Sequence, residues 1–193
     1  MKILIINAHQ RWEKFAEGQL NKTFVELAVK QLKAFDYKVR TSTIDEECDI
    51  DKEVEKHVWA DAIIVQTPLY WMGSPWLFKK YVDEILTAGL GGTLAYHDGR
   101  VIDDPSKKYG TGGVKKGKKF MISVTSNAPK YAFNKDEFFA GADIDTLFLW
   151  LHKAYQFNGF ESLPGFQAFD VMKNPDIDND LLKYQSHLRQ IFN

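Results

Sequence analysis

Three short runs constrain the fold most: KILIIN (2–7), DAIIVQT (61–67) and KKFMISVTS (118–126). Each is dominated by apolar residues without alternation. A strand of that kind is buried on both faces, and it belongs in a parallel sheet with helices on either side. YKVRTSTI (37–44) reads as a further strand between the first two. Helical spacing fills the intervals. In QLNKTFVELAVKQLKAF (19–35) the apolar residues fall at Leu20, Phe24, Leu27, Ala28, Val29 and Leu32. PWLFKKYVDEIL (75–86) opens on a proline, whose missing N–H costs nothing at a helix start. DIDTLFLWLHKAYQF (143–157) predicts one long amphipathic helix, and PDIDNDLLKYQSHLRQIF (175–192) a closing one. SLPGFQAFDV (162–171) predicts a fifth strand, interrupted by Pro164 and Gly165 and so placed near an edge.

Strands alternating with helices give an α/β, doubly wound, five-stranded parallel sheet of flavodoxin-like order 2-1-3-4-5. No linker, repeat or low-complexity tract divides the chain, so residues 1–193 form a single domain. In such sheets ligands bind beyond the carboxyl ends of the strands, where the strand order switches. That rule selects the loops after Asn7, Thr67 and Thr125.

Charge and cysteine content narrow the function. A net charge of −1 gives no electrostatic reason to expect nucleic acid or an anionic membrane. Cys48 is the sole cysteine, which rules out an intrachain disulfide and suits the reducing cytoplasm. MKILIIN is too short for a signal-peptide core, and no apolar run reaches the length of a transmembrane span. The histidines lack metal-ligand spacing, so no metal site is expected. Among them, His152 reads as a packed or surface residue of its helix.

The loop NAHQRWEKFAEG (7–18) leads to a helix start, where free N–H groups and a positive dipole end can hold a phosphate. His9, Arg11 and Lys14 add donors, and Asn21 and Thr23 offer further contacts to phosphate oxygens. The G-x-G-x-x-G fingerprint is absent. GGVKKGKK (112–119) nearly fits a P-loop. However, Lys119 stands where a hydroxyl is required, and the stretch precedes a strand instead of following one. Its lysines read as a solvated approach to the fourth strand. The second loop, PLYWMG (68–73), offers aromatic faces that suit a flat ring system better than a sugar or phosphate. The third, TSNAP (125–129), supplies hydroxyls, an amide and backbone N–H groups for the polar edge of such a ring.

Taken together, GQLN, WAD, GSPWLFKKYVDEI, DGR, DPSKKYGTGG, GKKFMISVTSNAP and HKAYQF resemble the bacterial modulator of drug activity B family, across essentially the whole chain. Members are NAD(P)H:quinone oxidoreductases of flavodoxin-like fold, more distantly similar to DT-diaphorase. The resemblance implies a homodimer that binds FAD, takes electrons from NADPH or NADH and reduces a quinone substrate. It implies that Ala16, Glu17, Gly18, Gln19, Leu20, Asn21, Lys22 and Thr23 surround the FAD phosphates. It sets Pro68, Leu69, Tyr70, Trp71, Met72, Thr125, Ser126, Asn127 and Ala128 on the isoalloxazine, with Tyr109 beside it; a phenol there is a candidate donor to the substrate carbonyl. The chain departs from the family at Asn7-Ala8-His9 (usually Asn-Gly-Ala), at Ala16 (usually Ser), at Ser126 (usually Trp) and at Gly89 to Gly92, where GLGG replaces GHG.

The reading is a FAD-dependent enzyme that passes two electrons as hydride by a ping-pong route. The alternatives are an FMN-dependent azo- or nitroreductase, or a non-enzymatic flavodoxin-like electron carrier. The carrier is disfavoured because the chain has no acidic patch for docking.

Overall fold

The computed structural model describes residues 1–46, 48–103, 105–106 and 108–193. Four strands form the centre of one parallel sheet: β1 (Lys2–Asn7), β2 (Lys38–Thr43), β3 (Ala62–Pro68) and β4 (Lys119–Thr125). β1 lies between β2 and β3, and β3 pairs with β4. The fifth position is filled in two pieces along the far edge of β4. These are β5 (Glu161–Ser162) and β6 (Phe166–Ala168). The predicted interruption at Pro164 and Gly165 lies between them. Order β2-β1-β3-β4-β5 is the flavodoxin-like one.

Helices cover both faces. α1 (Gln19–Ala34) and α6 (Ile177–Phe192) bury Phe24, Leu32, Tyr184 and Leu188 against Ile3, Ile5, Ile64 and Met121. α2 (Ile50–Trp59), α3 (Trp76–Ala88), α4 (Ile144–Leu147) and α5 (Leu149–Phe157) lie on the other face. There Val54, Phe78, Leu151 and Tyr155 meet Leu4, Ile6, Ile63 and Phe120. Tyr155 stacks on Phe120 with ring centroids 4.0 Å apart, an arrangement that adds to plain area burial. No helix among the described residues is long and apolar enough to cross a membrane.

Three features differ from the sequence reading. The long helix over 143–157 breaks at Phe148 into α4 and α5. The α2 segment was not among the helices expected. Its core face mixes the apolar Ile50, Val54 and Val58 with the buried Glu53 and His57. Lys118 is no solvated lysine: its Nζ donates to Val58 O at 2.6 Å and Ala60 O at 2.5 Å, closing the carboxyl end of α2.

Between α3 and β4 the chain makes a long excursion. Its base is closed by Tyr96 N–H to Gly112 O and Val114 N–H to Leu94 O. Gly112 is required there, because a Cβ would stand 1.9 Å from His97 O.

Candidate active site

All three loops picked out by the strand-end rule meet at the carboxyl edge of the sheet, joined by hydrogen bonds. Asn7, at the end of β1, and Gln66, near the end of β3, are register partners. Asn21, on the first turn of α1, is buried against both. Its Nδ2 donates to Asn7 Oδ1 at 2.5 Å and to Gln66 O at 3.1 Å, and its Oδ1 accepts from Gln66 Nε2 at 3.1 Å. Asn21 therefore braces the helix start against the strands, and what it offers a ligand is its backbone N–H.

The start of α1 leaves backbone donors that an anion could use. Gly18 caps it in the left-handed region at φ 89°, with no side-chain acceptor and no acidic residue in the first turn. The first N–H groups of the helix have no partner within the helix itself, and the positive dipole end is uncompensated. A Cβ on Gly18 would lie 2.8 Å from His9 Nδ1, so conformation and contact both demand glycine. Thr23 donates its hydroxyl to Gln19 O, and Lys22 is exposed at the helix surface. Arg11 pairs with Glu17 at 2.6 Å. The Lys14 N–H and the Arg11 side chain hold the Glu17 carboxyl below its usual range. Ala16 pairs with Trp12 across a tight turn of the same loop.

The second loop is a tight turn in which Tyr70 and Gly73 exchange both backbone hydrogen bonds, at 2.9 and 3.0 Å. Trp71 and Met72 adopt φ 45° and 64°. Each non-glycine residue so placed costs about 1–2 kcal/mol, a strain typical of ligand-facing turns. Trp71 is 95% exposed with its face open. Tyr70 instead turns inward, with its hydroxyl 3.2 Å from His9 Nε2 and 3.3 Å from Gln10 O. Burial lowers the His9 pKa and raises that of Tyr70, so both are neutral near pH 7.

Leu69 N–H donates to Thr125 O at 2.8 Å, tying the second loop to the third. Ser126 is buried, its Oγ within reach of Ala168 O and Ala128 O and accepting from Gln167 Nε2. Asn127 is exposed and Ala128 half-buried. The N–H groups of Trp71, Met72, Asn127 and Ala128 meet no backbone carbonyl among the described residues. Among the described residues Gln10 Oε1 is buried without a partner. Open donors, an unpaired acceptor and an uncapped helix start form a donor and acceptor set that fits a flavin.

Tyr109 is not brought to this cluster. It packs edge-on against Phe157, at the end of α5, with ring centroids 5.9 Å apart. It also lines a groove with Val82, Leu86, Trp150 and Lys153. α5 leads into Glu161, which pairs with the first residue of β4. Tyr109 therefore lies toward the amino edge of the sheet, away from the third loop of its own chain. Asp104 and Lys107, in the DPSKKYG stretch that carries part of the family resemblance, lie outside the described residues.

Sequence reasoning missed the braces Asn7 and Gln66 and the unpaired Gln10. The first two carried a signal, since each is an amide within an otherwise apolar strand. A groove next to the α1 start was also not foreseen. It runs from Gly18 and Gln19 past Lys22 to Thr41 and Thr43 at the end of β2.

The chain matches the family described as Flavodoxin-like fold over residues 1–191. It is 41% identical to the NADPH:quinone oxidoreductase MdaB of Haemophilus influenzae, over the full length of both chains. A Klebsiella pneumoniae protein assigned as a quinone reductase superposes with a TM-score of 0.78 at 20% identity, covering 100% of this chain and 85% of that one. An FMN-dependent NADH-azoreductase of Bacillus anthracis, solved with FMN, superposes at a TM-score of 0.68 and 15% identity over the full length of both. At those identities the two structures speak for the fold alone. With its strand order, its joined strand-end loops and its full-length likeness to MdaB, the chain belongs to the modulator of drug activity B family of flavodoxin-like oxidoreductases.

Proposed function

We propose that the protein is a FAD-dependent NAD(P)H:quinone oxidoreductase. The observation that carries this reading is the meeting of an uncapped α1 start, a strained aromatic turn and open backbone donors at one sheet edge. The first-turn N–H groups after Gly18 would hold the cofactor phosphates. Pro68 to Met72 and Thr125 to Ala128 would border the ring, with the Trp71 face against it. When bound, the flavin supplies hydride chemistry between the nicotinamide and the quinone. The chain's own part is to bind, orient and bias. Fixed N–H groups of Trp71, Met72, Asn127 and Ala128 would be aimed where negative charge develops, the usual source of the largest electrostatic contribution. The alternative substrates share one open face, so they would exclude each other and give ping-pong kinetics.

FAD is favoured over FMN by the groove from Gly18 to Thr43, which offers a dinucleotide room beyond its first phosphate. A homodimer is part of the proposal. Trp76 and Phe138 are exposed apolar residues, and large exposed apolar groups mark interfaces. Tyr109, remote from its own ring loops, would act at the site of a second copy as a donor to the substrate carbonyl. A cytoplasmic setting suits a chain that uses NADPH or NADH and carries a lone thiol.

Chromatography of the cofactor released by heat tests the reading. One FAD per chain is expected. FMN alone would return the azoreductase alternative, and flavin without NAD(P)H turnover would return the electron carrier.

A further inference from the structure

We propose that His9 and Tyr70 form a clamp between the loop after β1 and the turn after β3, making His9 a positioning residue for the flavin ring. This inference rests on the flavin reading above. Three observations carry it.

The two rings stand edge to face, with centroids 6.2 Å apart and an interplanar angle of 72°, and their polar tips meet at 3.2 Å. Gln10 O, 3.3 Å from the Tyr70 hydroxyl, can only accept. The assignment that satisfies both contacts of the Tyr70 hydroxyl runs His9 Nε2–H to Tyr70 Oη and Tyr70 O–H to Gln10 O. His9 cannot swing aside, because it is 7% exposed and Gly18 is packed against its other face.

The turn held by Tyr70 is strained. Trp71 and Met72 both sit at positive φ, which a free loop would relax. Among the described residues it is held by the backbone pair of Tyr70 with Gly73, by Leu69 N–H to Thr125 O at its base and by the inward-facing Tyr70 side chain. The clamp thereby fixes Trp71, which makes no such contact of its own.

The clamp also joins the two halves of the proposed cofactor site. His9 lies against the phosphate-facing helix start, and Tyr70 precedes the ring-facing Trp71. The charged groups around His9 are Asp45, whose carboxylate raises its proton affinity, and the Arg11–Glu17 pair lining the same groove. Burial outweighs the pull of Asp45, so the imidazole is neutral at working pH, in the tautomer that keeps its proton on Nε2.

The test is titration of flavin-free protein with FAD, followed by quenching of flavin fluorescence, on His9→Ala, His9→Gln, Tyr70→Phe and the His9→Ala/Tyr70→Phe double variant. Each chain is first checked by thermal melting. Losing one hydrogen-bonded clamp is expected to weaken FAD binding about 5- to 10-fold and reduce the final quench. The double variant should be no weaker than either single one, since both remove the same link. Glutamine carries a donor close to the Nε2 position and should restore binding to within about twofold of the parent. If His9→Ala fails to fold, Tyr70→Phe and His9→Gln still decide the matter. Losses that multiply in the double variant, or parent-like affinity in Tyr70→Phe, would overturn the clamp while leaving the flavin reading intact. A parent protein that binds no flavin would sink both.

Discussion

Leu69 donates its backbone N–H to the Thr125 carbonyl at 2.8 Å, which makes the loops after β3 and β4 one unit. A residue standing on that unit can be exposed and still be fixed in place. Trp71 is in that position, with 95% of its surface open. Trp71→Ala should therefore leave thermal stability within about 0.5 kcal/mol of the parent, as surface changes do. It should weaken flavin retention about tenfold, through loss of the stacking face. Melting curves and cofactor titration on the same sample check both halves. A large fall in stability would show that Trp71 is a packing residue instead.

Gly18 should tolerate nothing else. Gly18→Ala meets positive φ strain of about 1 kcal/mol together with contact against His9. The combined loss is expected at about 2–3 kcal/mol in chemical denaturation, with weaker flavin binding. Unchanged stability would mean that the helix start is not set by Gly18.

Acid should destabilise the fold through His57. It is buried between α2 and α5, with Nδ1 2.8 Å from Glu53 O and Nε2 3.1 Å from the Tyr155 hydroxyl. Desolvation lowers its pKa to about 4. The unfolded chain takes up this proton near pH 6.5, and the folded chain only near the lower value. Below pH 6.5 the unfolded state thus binds more protons, and stability falls as pH drops toward 4. The shift corresponds to about 3 kcal/mol at most. Urea melts at pH 7 and pH 5 on the parent and on His57→Gln measure it. A pH slope that survives in the variant would assign the effect elsewhere.

Tyr109 supplies a prediction about assembly. Tyr109→Phe should lower turnover of a quinone about tenfold or more, leave flavin content unchanged and leave stability within about 0.5 kcal/mol. Steady-state rates alongside cofactor content check it. Loss of flavin in Tyr109→Phe would mean that this residue holds the cofactor and does not act on substrate.

The strands that carry the site were legible because double-sided burial demands unbroken apolar runs, as in Ile3 to Ile6 and Ile63 to Val65. The strand-end loops followed from topology. The short apolar series of α2, Ile50, Val54 and Val58, was masked because it shares its buried face with Glu53 and His57, and Glu53 is satisfied there by Ser42, Lys56 and Tyr81, each at 2.6 Å. A further local sign was Asp49, whose side chain accepts from Lys52 N–H at the helix start. The position of Tyr109 was hidden because it depends on how the excursion after α3 folds back, which no periodicity records. The His9–Tyr70 pair joins residues 61 positions apart, and only the folded sheet edge brings them together.

The central claim is tested most directly by initial rates of NADPH oxidation with a benzoquinone as acceptor, both varied, on the FAD-loaded protein. The account predicts oxidation that depends on added quinone and gives parallel double-reciprocal lines. Oxidation that ignores the quinone, or intersecting lines, would contradict it.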